Sequence, residues 1–153
     1  MSKEDILELA SVNKLCPQFH LSLQSGCDKT LRGMRRHYDT AEYTRIVKDI
    51  NKSFENPAIT TDIMVGFPGE SEEDHKISMQ FCKEIGFAKA HIFAYSQRAG
   101  TVAANLPNQI DNNIKTKRSK EMIQLTTQIR KQFLKTQVGK TVSVLFERSP
   151  KNN

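Results

Sequence analysis

The chain has 153 residues, of which 37% are hydrophobic and 26% charged, with a formal net charge of +6. That length suits one domain, and no apolar run approaches the roughly 20 residues needed to span a bilayer. The opening stretch MSKEDILELA carries acids where an export signal carries a basic segment, so a cytoplasmic location is expected.

The first β-like run is Phe19 to Gln24 (FHLSLQ), which alternates and stops at Ser25-Gly26. Asp28 is expected to cap a short helix carrying Leu31 and Met34. Thr40 is expected to cap a longer one to about Ser53, with Tyr43, Ile46, Val47, Ile50 and Phe54 on one face. The second run, Ala58 to Val65, is rich in β-branched residues and closes with Gly66-Phe67-Pro68-Gly69. Ser71 followed by Glu72, Glu73 and Asp74 suits a capped helix start. That helix is expected to bury Ile77, Phe81 and Ile85 and to stop at Gly86. The third run is Ala90 to Tyr95. A long helix from about Asn112 to Gln137 then presents Ile114, Met122, Ile123, Leu125, Ile129, Phe133 and Leu134, and Gly139 ends it. Thr141 to Glu147 alternates like the start of a further strand.

Strands alternating with helices at this spacing imply parallel pairing and right-handed crossovers. Three such strands make an incomplete layer with open edges, so the expected class is α/β, a piece of a larger (βα) TIM-like barrel. Barrel enzymes gather their working residues at the C-terminal strand ends. Here those ends read Gln24-Ser25-Gly26, Val65-Gly66-Phe67-Pro68-Gly69-Glu70 and Tyr95-Ser96-Gln97-Arg98. Charge is uneven: residues 1–110 carry 13 Lys/Arg against 14 Asp/Glu, and residues 111–140 carry 8 against 2. The basic segment is either a nucleic-acid contact or a solvated helix face. Cys16, Cys27 and Cys82 lack CxxC spacing and are expected to be plain thiols. His20, His75 and His91 have no second ligand at metal spacing and are read as structural.

Three stretches carry a resemblance: His20–Tyr43 (HLSLQSGCDKTLRGMRRHYDTAEY), Ala58–Asp74 (AITTDIMVGFPGESEED) and His91–Ala104 (HIFAYSQRAGTVAA). In order and spacing they resemble the radical S-adenosylmethionine (SAM) methylthiotransferases of tRNA, over about Ile6 to Glu147. Met34-Arg35-Arg36 with Tyr38, and Tyr95-Ser96 before Arg98, point to the branch that thiomethylates threonylcarbamoyladenosine next to the anticodon. The alternatives are the isopentenyladenosine branch, a sister family acting on a ribosomal protein, and, in another class, a cluster-free RNA-binding module. The resemblance implies that residues 1–138 form the C-terminal half of a radical SAM barrel. Residues 139–153 would begin a truncated TRAM-like RNA-binding domain. It also implies SAM as cofactor and 4Fe-4S clusters in the parent enzyme, with their CxxxCxxC ligands outside this chain. The chain alone is therefore expected to be inactive, a fragment of an enzyme. The implied partners are tRNA, the N-terminal half of the enzyme and an electron donor, with no membrane.

The resemblance also assigns residues. Gln24 and Ser25 would face the ribose and amino-acid part of SAM, unless they only form a strand-to-loop turn. Asp62 sits in an otherwise apolar or Thr-containing strand, where a carboxylate is costly without a partner. It would meet SAM or substrate in the lumen, or else form an internal salt bridge. Gly66, Pro68 and Gly69 shape a turn suited to close backbone approach to a ligand. That turn is similar to the superfamily's GxIxGxxE motif, whose backbone contacts adenine. In this chain Asp62 replaces the first Gly and the acid falls one residue late, at Glu70. Tyr95 would pack on adenine, Ser96 would lie beside it, and Arg98 would grip a carboxylate or phosphate. Arg35 and Arg36, with Arg32 and His37, would meet the SAM carboxylate or the tRNA backbone. Lys117 and Arg118, with the other basic residues of the long helix, would track phosphates. No residue is assigned a catalytic or metal-binding role.

Overall fold

The computed structural model describes residues 1–142, so most of the tail run Thr141 to Glu147 lies outside the described residues. Strands β1 (Gln18–His20), β2 (Ala58–Val65) and β3 (Lys89–Ala94) lie side by side in that order, and both pairs are parallel. Helix α1 (Lys3–Ala10) precedes them. Helices α2 (Asp28–Gly33) and α3 (Thr40–Ser53) join β1 to β2, and α4 (Glu72–Ile85) joins β2 to β3. A single 3₁₀ turn, Val102–Asn105, then leads to α5 (Asn112–Lys135). This is the α/β arrangement of three parallel strands and a long final helix that the sequence predicts.

The central strand divides its residues by face. Ile59, Thr61, Ile63 and Val65 are buried, while Thr60, Asp62 and Met64 are only half-buried. The buried set packs with Tyr43, Val47 and Ile50 of α3, Cys82 of α4, and Met122, Leu125 and Ile129 of α5 in one core. Burying side chains of this size contributes on the order of 1.5–3 kcal/mol each. On the opposite face Phe93 of β3 is 40% exposed.

β1 is shorter than the predicted Phe19 to Gln24 because a side chain enters its ladder. The Thr61 hydroxyl donates to Leu21 O at 2.6 Å and accepts from Leu23 N–H at 2.9 Å. Regular pairing resumes only as an isolated bridge between Gln24 and Ile63. Two caps also move by one residue. Asp39, not Thr40, accepts from Glu42 N–H at the start of α3. Asp28 is the first residue of α2, and its carboxylate accepts from Thr40 N–H at 2.8 Å. Ser71 forms the expected capping box with Asp74, and Gly86 ends α4 in the left-handed conformation at φ 74°. Helix α1 is an element the periodicity did not suggest. Its signal is a capping box between Ser2 and Asp5, and Ile6 anchors it with no exposed surface.

The helix faces differ from expectation. Ile77, Ile114, Ile123 and Leu134 are 43–49% exposed. On α5 the buried positions are Arg118, Met122, Leu125, Thr126 and Ile129, a regular helical stripe that includes a charge. On α4 they are Asp74, His75, Ser78 and Cys82. Each polar residue has a partner: Arg118 donates to Glu70, Asp74 pairs with Lys29, Ser78 accepts from Gly26 N–H, and Thr126 donates to Met122 O of its own helix. His75, 1% exposed, meets Glu121 of α5 through Nε2 at 3.2 Å. Burial, reinforced by the nearby Arg118 charge, holds the His75 imidazole below its ordinary pKa despite Glu121. The unfolded chain therefore takes up a proton near pH 6.5 that the folded chain refuses. Thermal stability is expected to fall as pH drops from 7 to 5.5, with a shallower slope in His75→Gln. Scanning calorimetry across that range checks this, and an unchanged slope in the variant would remove His75 as the cause.

Candidate functional site

The C-terminal tips of the three strands are tied to one another by backbone bonds. Gln24 N–H donates to Asp62 O at 2.8 Å, and Gln24 O accepts from Met64 N–H at 2.9 Å. Tyr95 N–H donates to Val65 O at 2.8 Å. Gln24 holds this place at φ 66°, a conformation that an L residue rarely adopts. Gln24, Gly66 and Tyr95 thus stand in sequence along one end of the sheet.

The loop after β1 turns inward. Ser25 has no exposed surface, and its Oγ accepts from Cys27 N–H at 3.2 Å. Its predicted role toward a ligand is corrected: the hydroxyl closes its own loop. At Gly26 a Cβ would stand 2.8 Å from Phe81 Cβ and Ser78 O, so helix packing sets the glycine there.

The turn after β2 is built around two buried charges. Glu70 Oε2 accepts from Gly66 N–H at 2.6 Å and from Arg118 Nη1 at 2.9 Å. Arg118 Nη1 also donates to Glu70 O at 2.9 Å, and Arg118 is 4% exposed. Burial pushes the Glu70 carboxyl up, against the Gly66 N–H and the guanidinium that favour its charged form. Arg118 is therefore removed from the phosphate-tracking set, because its charge is spent inside the fold. Gly66 is also required by packing within the chain. Its φ is 73°, and an added Cβ would stand 2.3 Å from Lys115 Cγ. The close neighbour is the Lys115 stem of α5, whose Nζ donates to Tyr95 O at 3.3 Å. Pro68 is buried, and Gly69, exposed at φ 83°, donates to Asn108 O at 3.0 Å.

Beyond β3 the chain leaves a groove of about 640 Å³. Met34, Met64, Phe67, Phe93 and Tyr95 supply its apolar walls, and Arg36, Ser96 and Arg98 its polar positions. Phe67 meets Tyr95 edge-on, with ring centroids 5.5 Å apart. The Tyr95 hydroxyl is buried and has no hydrogen-bond partner among the described residues. The predicted Tyr95, Ser96, Arg98 and Arg36 therefore come together. Gln24 and Asp62 lie on the neighbouring strands, and Asp62 pairs with His20 at 3.2 Å. Arg35 is exposed at φ 57°, and exposed Lys117 lies 3.8 Å from Glu121. Sequence reasoning missed the wall residues Met64 and Phe93, whose signal was their shared alternation, and Lys115, which looked like one more surface cation.

Among the described residues no three His, Cys, Asp or Glu side chains cluster to hold a metal ion. Cys82 is buried and its thiol is pushed up to about 12, which makes it a packing group. An iron–sulfur cluster needs thiolates in close array. The residues described do not fit one.

Comparison with known proteins agrees with the geometry. The Radical SAM superfamily model matches residues 1–82. The tRNA-2-methylthio-N(6)-dimethylallyladenosine synthase of Caldicellulosiruptor saccharolyticus is 37% identical over 153 residues, which is 100% of this chain and 32% of that protein. The synthase of the same name from Clostridium botulinum (strain Langeland) is 39% identical over 151 residues, 98% of this chain and 34% of the relative. That of a Thermoanaerobacter species is 40% identical over 147 residues, 96% of this chain and 31% of the relative. The chain spans about a third of the length of these curated relatives. Their shared name fits the isopentenyl alternative, since dimethylallyl and isopentenyl denote the same substituent here. The expectation of a threonylcarbamoyladenosine enzyme is not supported.

Removing one partner of a buried ion pair strands the other charge, at a cost of about 3–5 kcal/mol, while a surface cation matters little. Arg118→Met is expected to destabilise the chain by about 3 kcal/mol and Lys117→Met by under about 0.5 kcal/mol. Urea denaturation of both variants decides between a structural and a surface role for Arg118.

Proposed function

Since this chain belongs to the radical SAM superfamily, we propose that it supplies three strands of the barrel of a tRNA methylthiotransferase acting on N6-dimethylallyladenosine. One observation carries this: the tips Gln24, Gly66 and Tyr95 share one end of a parallel sheet, beside a groove with apolar walls and two arginines. The relatives whose names include this activity match nearly the whole chain.

SAM, when bound with a 4Fe-4S cluster held by cysteines outside the described residues, supplies the radical chemistry of this superfamily. The residues of this chain bind and orient. Tyr95 and Phe67, 7% and 6% exposed, back the groove and offer a purine only the edges of their rings, with the unpartnered Tyr95 hydroxyl buried behind them. Arg36 and Arg98 can hold a carboxylate or phosphate at the groove mouth. Ser96 adds a hydroxyl beside them. Gly66, Pro68 and Gly69 keep the turn after β2 rigid, and Gln24 fixes the tip of β1. Exposed Arg35 and Lys117 contribute to the electrostatic attraction of tRNA. The rest of the barrel and an electron donor are partners this function requires.

A chimera tests the proposal. This chain replaces the matching third of the Caldicellulosiruptor saccharolyticus synthase, in a host lacking the 2-methylthio modification. Mass spectrometry of tRNA nucleosides is expected to show 2-methylthio on N6-dimethylallyladenosine. Methylthiolation of threonylcarbamoyladenosine instead would return the function to the other branch.

A further inference from the structure

The face of the sheet opposite the core carries a polar cluster that the groove does not use. His20 Nε2 lies 3.2 Å from Asp62 Oδ2 and 3.2 Å from Ser22 Oγ, and His20 Nδ1 lies 3.1 Å from Thr60 Oγ1. Thr60 and Asp62 of β2 and Ser22, two residues beyond β1, therefore fix one imidazole, which in turn fixes one carboxylate oxygen. Asp62 Oδ1 has no hydrogen-bond partner among the described residues. Two residues further along β2, on the same face, comes Met64, with Phe93 opposite it in register.

Barrel interiors are normally filled by branched apolar side chains. The Asp62 side chain is 32% exposed here, and inside a closed barrel its free oxygen would need a donor. The next layer is apolar and matches the face of a flat ring. A planar heteroaromatic group with an edge N–H donor satisfies both layers at once. Adenine, through its exocyclic N6–H, has that shape and that donor.

We propose that Asp62 accepts the N6–H of an adenine nucleoside, and that His20 is the positioning residue that aims it. The inference rests on the adenosine-directed function proposed above. Both SAM and N6-dimethylallyladenosine carry an N6–H, so either nucleoside can be the source.

Ligand-detected NMR on the intact chain tests it with four probes: S-adenosylhomocysteine, N6-dimethylallyladenosine, N6-methyladenosine and N6,N6-dimethyladenosine. The last two differ by one methyl group and by the N–H. A site built to take a donor rejects the analogue that lacks it. N6-methyladenosine is expected to bind about tenfold tighter than N6,N6-dimethyladenosine. Asp62→Ala should abolish that ratio, His20→Ala should reduce it, and His20→Gln, which keeps a donor toward Asp62, should restore most of it. Thermal melts check that each variant stays folded. The tighter of S-adenosylhomocysteine and N6-dimethylallyladenosine identifies the source. Equal binding of the two methylated probes by the unsubstituted chain, or a ratio that survives Asp62→Ala, overturns the inference alone. Failure of all four probes to bind also overturns the inference, while the adenosine-directed function stands or falls separately on the chimera.

Discussion

A carboxylate and a guanidinium, both out of water, set the geometry of this molecule. Glu70 and Arg118 meet at 2.9 Å with side chains 1% and 5% exposed. Each would be expensive to bury alone, and their attraction offsets the cost with the help of further hydrogen bonds, although Arg118 Nε has no partner among the described residues. Gly66 N–H and Glu70 O supply those bonds. The pair thus fastens the turn after β2 to α5. It sets the position of Gly66, and through the Lys115 stem it also sets that of Tyr95. If this pair moves, the groove loses its back wall.

From that anchor the sheet divides into a packed side and a working side. The packed side explains why the strands are parallel and why α3, α4 and α5 lie where they do. The other side holds the features that the proposed nucleoside ligand would use: aromatic edges, an apolar floor, arginines at the mouth and a carboxylate held by His20. The two sides are coupled because β2 alternates, so Ile63 in the core necessarily places Asp62 and Met64 on the other face.

Much of this was legible in the sequence. Alternation and turn residues located β2 and β3 within a residue, and Ser71 and Gly86 marked the ends of α4. The strand tips were legible because glycines and polar residues followed each apolar run. The misreadings have physical causes. Thr61 looked like one more β-branched strand residue, yet its hydroxyl replaces a backbone partner and shortens β1. Arg118 lay in a basic stripe, and spacing alone cannot reveal that a carboxylate 48 positions earlier faces it. His20 carried no ligand spacing along the chain, because its partners Thr60 and Asp62 arrive from the next strand.

Amide hydrogen exchange at Gly66 tests the central claim most directly. With its N–H bonded to the Glu70 carboxylate, Gly66 should exchange slowly, alongside Gln24 and Tyr95 whose N–H groups cross between strands. Loss of the Arg118 charge should speed Gly66 and Tyr95 together, while the neighbouring Lys117 charge should leave both unchanged. A Gly66 amide that exchanges as fast as an open loop, or ignores Arg118, would contradict the buried pair as the anchor of the site.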